Sequence, residues 1–157
     1  MVKHFDHVTI VVRDMEAASR FFNLLGFEHE KTVVITGEIF SNYMGVAGIE
    51  AEHVTLVLAG AVPRMEVQLL GYRQPQPALD PSISDLSKLG YNHICFAVDD
   101  LDGELQRLRA AGIRTRNEIL NFHGRKLVFL CGPEGITVEL SERCDMSDGA
   151  PITPPNE

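Results

Sequence analysis

The chain has 157 residues, of which 45% are hydrophobic and 23% are charged, so it is long enough to form one compact domain with its own core. Its 14 Lys and Arg against 22 Asp and Glu leave a net charge of −8, which argues against nucleic acid and membrane as partners. No apolar run has the roughly 18 residues of a spanning helix, and the amino terminus lacks the pattern of a signal peptide. Because the 3 cysteines have no metal-type or redox spacing, we expect a cytoplasmic protein.

An internal repeat organises the sequence, because residues 6–28 align without a gap on residues 92–114. Each copy is predicted to contain a strand, an acidic turn, a helix and a glycine at the helix end. The aspartates can cap the first turn of each helix, and the glycines suit a left-handed closing residue. The identical pairs that mark this order are His7 with His93, Asp14 with Asp100, and Gly26 with Gly112.

Three more strands are predicted after the helix in each copy. In the first copy they lie at residues 32–39, 52–59 and 65–70. The segment 40–51, rich in glycine and small residues, is predicted to be a loop over a site. In the second copy the strands lie at 116–121, 125–130 and 136–141, and a turn at 132–135 joins the last two.

Two β-α-β-β-β modules follow from this pattern, and the predicted fold class is α+β. The modules are expected to form a single domain, joined by a linker that contains several prolines. The chain then ends in a proline-rich tail, expected to be mobile or to contact a partner. The predicted boundaries are module one at 1–75, the linker at 76–90, module two at 91–142 and the tail at 143–157.

Strand alternation gives four polar side chains equivalent positions in the two copies. The apolar rows of the first and closing strands must face the helix, which leaves the residues between them on a helix-free surface. These residues are His7, Gln68, His93 and Glu139. If both sheets curl around a common cleft, the four converge, and two imidazoles, a carboxylate and an amide oxygen can bind a divalent metal. The histidines without a repeat partner are interpreted as structural or exposed: His4, His29 and His53.

The chain resembles the vicinal oxygen chelate superfamily over about residues 5–142, through the motifs HVTIVV, VQLL, HICFAV and GPEGITVEL. That superfamily includes glyoxalase I, methylmalonyl-CoA epimerase, extradiol dioxygenases, and fosfomycin- and bleomycin-resistance proteins. The resemblance implies paired βαβββ modules that form a curled mixed sheet around a metal-binding cleft. It implies one divalent metal per chain, bound by His7, Gln68, His93 and Glu139. The sequence leaves open whether this metal is Fe, Mn, Co, Ni or Zn.

The residue at the second ligand position indicates which members of the superfamily the chain resembles more. Gln68 is similar to the ligand of methylmalonyl-CoA epimerase, whereas glyoxalase I commonly has Glu there. The epimerases also present a catalytic Glu on the preceding strand, and the nearest matching position here is Thr55. Three residues lie close by and could substitute for that Glu: Glu50, Glu52 and His53. We therefore place Thr55 among the substrate-binding residues.

The leading hypothesis is a metal-dependent isomerase, epimerase or lyase that acts on a small oxygenated molecule. A metal with two open positions can hold two substrate oxygens and stabilise an enolate, while a carboxylate moves the proton. The candidate proton-transfer groups are Glu139, if it leaves the metal, and also Glu66 and Glu52. His123 and Arg125 can recognise an anionic group, and Tyr43 can line an apolar pocket. We also expect a homodimer, since a second subunit can cover the sheet edges.

Two other classes of function stay open. An Fe(II) dioxygenase of the extradiol type would use His7, His93 and Glu139 as a two-His-one-carboxylate triad and leave Gln68 unbound. Oxygen uptake with catechols and ferrous ion would identify it. A resistance protein would bind a small toxic compound without turnover, and stoichiometric protection of that compound would identify it.

Overall fold

The computed structural model describes residues 1–144, so the predicted tail lies outside the described residues from position 145 onward. The chain divides into two compact units, Met1–Ile83 and Ser84–Glu157, and the division falls within the predicted linker. Residues 76–90 contain no helix or strand. Within the described residues, no helix is long and apolar enough to cross a membrane.

The first unit contains a sheet of four strands with the order β1-β4-β3-β2. The first strand runs parallel to the last, and the other neighbours are antiparallel. A parallel pair needs a crossover connection, and the helix after the first strand begins it. The elements are β1 His7–Val11, α1 Met15–Leu24, β2 Phe27–Thr36, α2 Glu38–Met44, β3 Glu50–Leu58 and β4 Glu66–Gln74.

The second unit repeats this topology with the strand order β5-β8-β7-β6. Its first and last strands are again parallel, and its other pairs are antiparallel. The elements are β5 Ile94–Ala97, α3 Leu101–Ala110, β6 Leu120–Phe122, β7 Arg125–Cys131, a 3-10 turn at Pro133–Gly135 and β8 Thr137–Arg143. The predicted α+β class is confirmed. The second unit has the β-α-β-β-β order, and the first has the same order with α2 added between β2 and β3.

The region between α1 and β3 differs from the prediction. Strand β2 begins at Phe27, directly after the helix-ending Gly26, and it ends at Thr36. The predicted loop at 40–51 contains part of α2, which follows Gly37. Gly37 has a φ of +93°, a conformation that glycine adopts without strain, so the chain leaves the strand there and starts a helix.

The predicted strand at 116–121 is also shorter in the structure, where only β6 forms. Upstream of it, the side chain of Asn117 accepts a hydrogen bond from the backbone N–H of Phe129 at 2.8 Å. A side-chain oxygen thus replaces a backbone acceptor, and the regular ladder does not extend past this point. Thr115 keeps one isolated bridge to Leu130.

Each unit has a core between its helix and one face of its sheet. In the first unit, Phe22 lies edge-on to Phe21 and Phe27, with ring centroids 5.2 and 5.9 Å apart. In the second, the buried residues are Leu101, Leu105 and Leu108 of α3 with Val128, Leu130, Val138 and Leu140 of the sheet. The alternation used to assign faces is confirmed by β1, where Ile10 is buried and Val11 is exposed.

The other face of the first sheet is covered at one end by the segment that follows α2. Ile49, in the segment after α2, forms a small second core with Ala51 and Leu70. Three partly buried residues pack against it: Ile35, Val46 and Tyr72. Leu70 follows Gln68 by two positions and shares its face. The segment after α2 therefore covers one end of the surface that carries Gln68.

The aspartates cap both long helices as the repeat predicts. Asp14 Oδ1 accepts a hydrogen bond from the N–H of Ala17 at 2.9 Å in α1. Asp100 Oδ1 accepts one from the N–H of Gly103 at 3.0 Å in α3. Each bond satisfies an amide that the helix itself leaves without a partner.

We expect Asp14→Ala to lower the free energy of unfolding by about 1 kcal/mol, because the amide of Ala17 loses its acceptor. Asp14→Asn keeps an acceptor oxygen and should unfold at nearly the wild-type urea concentration. Urea unfolding followed by circular dichroism measures both variants. An equal loss in the two would show that the charge, and not the hydrogen bond, stabilises the helix end.

Candidate metal centre

His93 and Glu139 lie side by side in the second unit. His93 directly precedes β5, and Glu139 lies in β8, the strand that pairs with β5. The Nε2 atom of His93 is 3.3 Å from Oε2 of Glu139, and only 12% of the glutamate side chain is exposed. The sequence analysis predicted both residues as ligands of one metal, and the structure brings these two together.

Asn92 determines which ring nitrogen of His93 carries the proton. The Nδ2 group of Asn92 donates to the carbonyl oxygen of Leu86, so its Oδ1 faces His93, 2.7 Å from Nδ1. Nδ1 is therefore the donor, and Nε2 of the neutral ring carries a lone pair. This lone pair faces the carboxylate of Glu139, and two such electron-rich atoms need a proton or a cation close to both. The donor set therefore fits a divalent metal.

His7 has the same arrangement in the first unit. Its Nδ1 is 2.6 Å from the carboxylate of Asp6, the residue that aligns on Asn92 in the repeat. The hydrogen bond from His7 is the main reason that the pKa of Asp6 lies below its usual value. Such partners orient an imidazole and leave Nε2 available for a metal. The sequence analysis missed both partners, although their aligned position before each histidine was a usable signal.

Gln68 lies in β4, in register with Thr9 of β1 and Thr55 of β3. Its amide oxygen is 3.0 Å from Nε2 of His53 and accepts a hydrogen bond from the hydroxyl of Thr9 at 3.3 Å. Its amide nitrogen donates to Glu66 at 2.9 Å. His53 was interpreted as structural or exposed because it has no repeat partner, and the structure shows it half-buried in contact with a predicted ligand.

The candidate base Glu66 is tightly held. Hydrogen bonds from Gln68 and then from Arg64, whose Nε is 2.7 Å away, keep the pKa of Glu66 below its usual value. A carboxylate stabilised in this way is a weak base near neutral pH.

The candidate base Glu52 lies away from Gln68. In β3 the residues Thr55 and Gln68 are in register and share a face, and strand alternation puts Glu52 on the opposite one. There Glu52 lies 3.9 Å from the guanidinium of Arg73. The structure thus does not bring Glu52 together with the predicted ligands of its unit.

The predicted substrate-binding residues fall in different surroundings. Thr55 is 1% exposed, and its hydroxyl has no hydrogen-bond partner among the described residues. Tyr43, on α2, is 84% exposed. His123 lies in the turn between β6 and β7, where its ring contacts Phe122 at a centroid distance of 4.0 Å. Only Thr55 is packed into a sheet face.

Arg125 places a cation on the face of Glu139. It opens β7 and alternates onto the same face as Phe129. Phe129 is in register with Glu139 and contacts the ring of His93 at a centroid distance of 5.1 Å. Arg125 can therefore meet an anionic group on this surface.

Cys95 also belongs to this face and was not assigned by the sequence analysis. It is in register with Glu139 in the parallel pair of β5 and β8. Burial, and next the carboxylate of Glu139, raise the pKa of the Cys95 thiol to about 12. The thiol therefore stays protonated at neutral pH and is a poor nucleophile.

Three carboxylates cluster at the start of α3, those of Asp100, Asp102 and Glu142. Glu142 accepts a hydrogen bond from the backbone N–H of Leu101 at 2.7 Å. Lys126 lies 2.9 Å from Asp102 and 3.5 Å from Glu142. A helix amide and a lysine thus offset these charges, and the cluster ties α3 to β7 and β8.

Comparison with known families gives a match to the model described as Glyoxalase/Bleomycin resistance protein/Dioxygenase superfamily, over residues 6–129. Three of the predicted ligands lie within this range, at His7, Gln68 and His93, and Glu139 lies beyond it.

Individual relatives extend this comparison over most of the chain. The sequence is 28% identical to an ethylmalonyl-CoA/methylmalonyl-CoA epimerase of Cereibacter sphaeroides, over 90% of this chain and 99% of that protein. It is 28% identical to the mitochondrial methylmalonyl-CoA epimerase of Homo sapiens, over 87% of this chain and 72% of that protein. A solved glyoxalase family protein from Bacillus cereus has a TM-score of 0.82 at 25% identity, over 92% of this chain and 96% of the other.

We expect purified wild-type protein to hold about one divalent metal ion per chain and His93→Ala to lose most of it, because an incomplete ligand set binds weakly. His29→Ala is the matched control, since His29 lies on the exposed strand β2, where its ring is hydrogen-bonded to Thr32. Metal analysis of protein prepared without chelators measures the content. Equal metal content in wild type and His93→Ala would remove His93 from the ligand set.

We expect Asn92→Ala to lower metal affinity about 10- to 100-fold, because His93 loses the partner that orients its ring. Asn92→Asp keeps an acceptor for Nδ1 and should bind metal nearly as well as wild type. Competition with a fluorescent chelator measures both affinities. If the two variants bind metal equally weakly, the bond from Asn92 to Leu86, and not the bond to His93, is the one that matters.

Proposed function

This chain belongs to the glyoxalase/bleomycin resistance protein/dioxygenase superfamily, and we propose that it is a metal-dependent isomerase, epimerase or lyase acting on a small oxygenated substrate. The proposed ligands of one divalent ion are His7, Gln68, His93 and Glu139. The observation that carries the proposal is the position of His93 Nε2, 3.3 Å from Glu139 Oε2, while Nδ1 of the same ring lies 2.7 Å from Asn92 Oδ1.

The chemistry follows from the charges at the proposed site. A bound divalent metal supplies a Lewis acid that stabilises negative charge developing on substrate oxygens. Glu139 is the group we assign to proton transfer once its carboxylate leaves the metal, because it is nearly buried and adjacent to His93. Glu66 is a weaker candidate, since its hydrogen bonds hold its pKa low. Arg125 supplies a positive charge for an anionic part of the substrate.

The named relatives support the epimerase form of this proposal. An epimerase inverts a stereocentre, and this requires removal and return of a proton next to an acidifying group. The two epimerases at 28% identity cover most of this chain. Acyl-CoA thioesters such as methylmalonyl-CoA are therefore the substrates to test first.

One observation favours a second candidate function, an Fe(II) dioxygenase. The amide oxygen of Gln68 already accepts a hydrogen bond from Thr9 and contacts His53 Nε2. If it stays so engaged, His7, His93 and Glu139 alone form the triad typical of non-haem Fe(II) oxygenases. Oxygen uptake with catechols and ferrous ion would then depend on those three residues and be insensitive to Gln68→Ala.

For the leading proposal we expect methylmalonyl-CoA to exchange its activated hydrogen with deuterated solvent under nitrogen. Glu139→Gln keeps an oxygen but loses its basicity, and it should slow the exchange by at least about 100-fold, a usual effect of removing a general base. Glu118→Gln, an exposed glutamate ahead of β6, is the matched control and should exchange at the wild-type rate. Mass spectrometry of the recovered thioester measures deuterium uptake.

Two results would contradict this assignment. Exchange by Glu139→Gln at the wild-type rate would mean that another group moves the proton. Absence of exchange in wild type, together with oxygen consumption that requires ferrous ion, would favour the dioxygenase.

A further inference from the structure

Gln68 is the one amide among the four proposed ligands, and an amide must be oriented before it can bind a metal. Its side chain ends in one oxygen and one nitrogen, and only the oxygen has a lone pair to offer. A carboxylate such as that of Glu139 ends in two oxygens, so either end can bind. The first unit therefore needs contacts that orient its proposed ligand, whereas the second unit does not.

Glu66 holds the nitrogen end of this amide. A carboxylate can only accept, so the group 2.9 Å from Glu66 Oε2 must be the Gln68 nitrogen. Arg64 holds Glu66 in turn, with its Nε 2.7 Å from Oε1. The same guanidinium donates to Glu30 of β2 at 2.7 Å. The amide is thus tied to a chain of charged groups that reaches from β4 to β2.

His53 holds the oxygen end. Its Nε2 is 3.0 Å from Gln68 Oε1, which can only accept, so Nε2 must carry the hydrogen. The neutral ring then has no hydrogen on Nδ1, which is buried without a hydrogen-bond partner among the described residues. The other tautomer would set two acceptors against each other and leave a buried N–H unpaired. Leaving the buried acceptor Nδ1 unpaired costs free energy. Buried polar atoms without a partner are rare, and a functional role is one reason for them to be retained.

The amide oxygen has one lone pair more than the contact with His53 uses. It has two lone pairs, and His53 uses one of them. The second faces the hydroxyl of Thr9 at 3.3 Å, which is long for a bond between oxygens. This weak bond can be given up while His53 continues to hold the oxygen in place.

The second unit serves as an internal comparison. In the repeat, Gln68 corresponds to Glu139 and Leu70 to Ser141. His53 is in register with Leu70, and the residue in register with Ser141 is Leu127. By the same correspondence Thr137 takes the place of Glu66. Both groups that hold the amide are therefore replaced where the proposed ligand is a carboxylate.

We propose that His53 is a positioning residue that, together with Glu66, fixes the oxygen of Gln68 as the metal-binding atom. This inference rests on the proposed metal-dependent function and assigns a role to a histidine outside the repeat. It predicts that the contribution of His53 depends on residue 68 being an amide.

A double-mutant cycle with Co²⁺ alone tests the dependence. We expect His53→Leu, which introduces the residue type found at Leu127, to weaken Co²⁺ binding about 10- to 100-fold. His53→Gln keeps an N–H donor and should bind Co²⁺ nearly as well as wild type. In the Gln68→Glu background, where both terminal atoms are oxygens, His53→Leu should cost little. Titration calorimetry measures affinity, and the visible spectrum of Co²⁺ reports the ligand set.

Three results of the cycle overturn the inference. An equal loss in both backgrounds would show that His53 only supports the fold, and an unchanged affinity in His53→Leu would show no role. If wild type binds no Co²⁺, the proposed function fails first and this inference fails with it. Circular dichroism of each variant separates these results from misfolding.

A measurement without metal addresses the orientation itself. In wild type the side-chain amide of Gln68 should give one sharp pair of ¹⁵N-correlated proton signals, because both of its ends are held. In His53→Leu these signals should broaden or move toward those of a solvated amide, and His29→Leu should leave them unchanged. Identical Gln68 signals in wild type and His53→Leu would overturn the proposal whatever the affinities show.

Discussion

The parallel pairing of the first and last strands in each unit is the constraint on which the rest of the structure depends. A parallel pair cannot close through a tight turn, so the chain must cross over, and in both units a helix follows the first strand. That helix buries one face of the sheet. Polar residues of the paired strands are left on the other face, where Thr9 is in register with Gln68 and Cys95 with Glu139. His7 precedes Thr9 by two positions, and His93 precedes Cys95 by two positions, so each histidine shares that face.

The features that could be predicted from the sequence are those present in both copies of the repeat. The capping aspartates, the helix-ending glycines and the strand that begins at or directly after each histidine could all be checked against a second copy. Features present in one copy only were missed. Gly37 starts α2 in the first unit alone, and the bond from Asn117 to Phe129 shortens β6 in the second alone.

The same limitation applies to the candidate site. His53 was set aside because the second copy has no histidine at that place, yet this asymmetry follows from the chemistry of its neighbour. A carboxylate and an amide can occupy equivalent positions in a repeat while needing different surroundings. Glu66 was a candidate base because it lies two residues from a predicted ligand, and its hydrogen bonds with Arg64 and Gln68 could be seen only in the structure.

Asn92 donates a hydrogen bond to the carbonyl of Leu86, so the connecting segment contributes to the candidate site as well as joining the two modules. Segments without helix or strand commonly accept insertions, deletions and new termini when their backbone makes no specific contacts. Here the carbonyl of Leu86 orients Asn92, and Asn92 orients His93. The permissive part of the connection therefore ends before Leu86. A permuted or domain-inserted version of this protein should be opened upstream of Leu86. There a change in chain length should leave the orientation of the His93 ring unchanged.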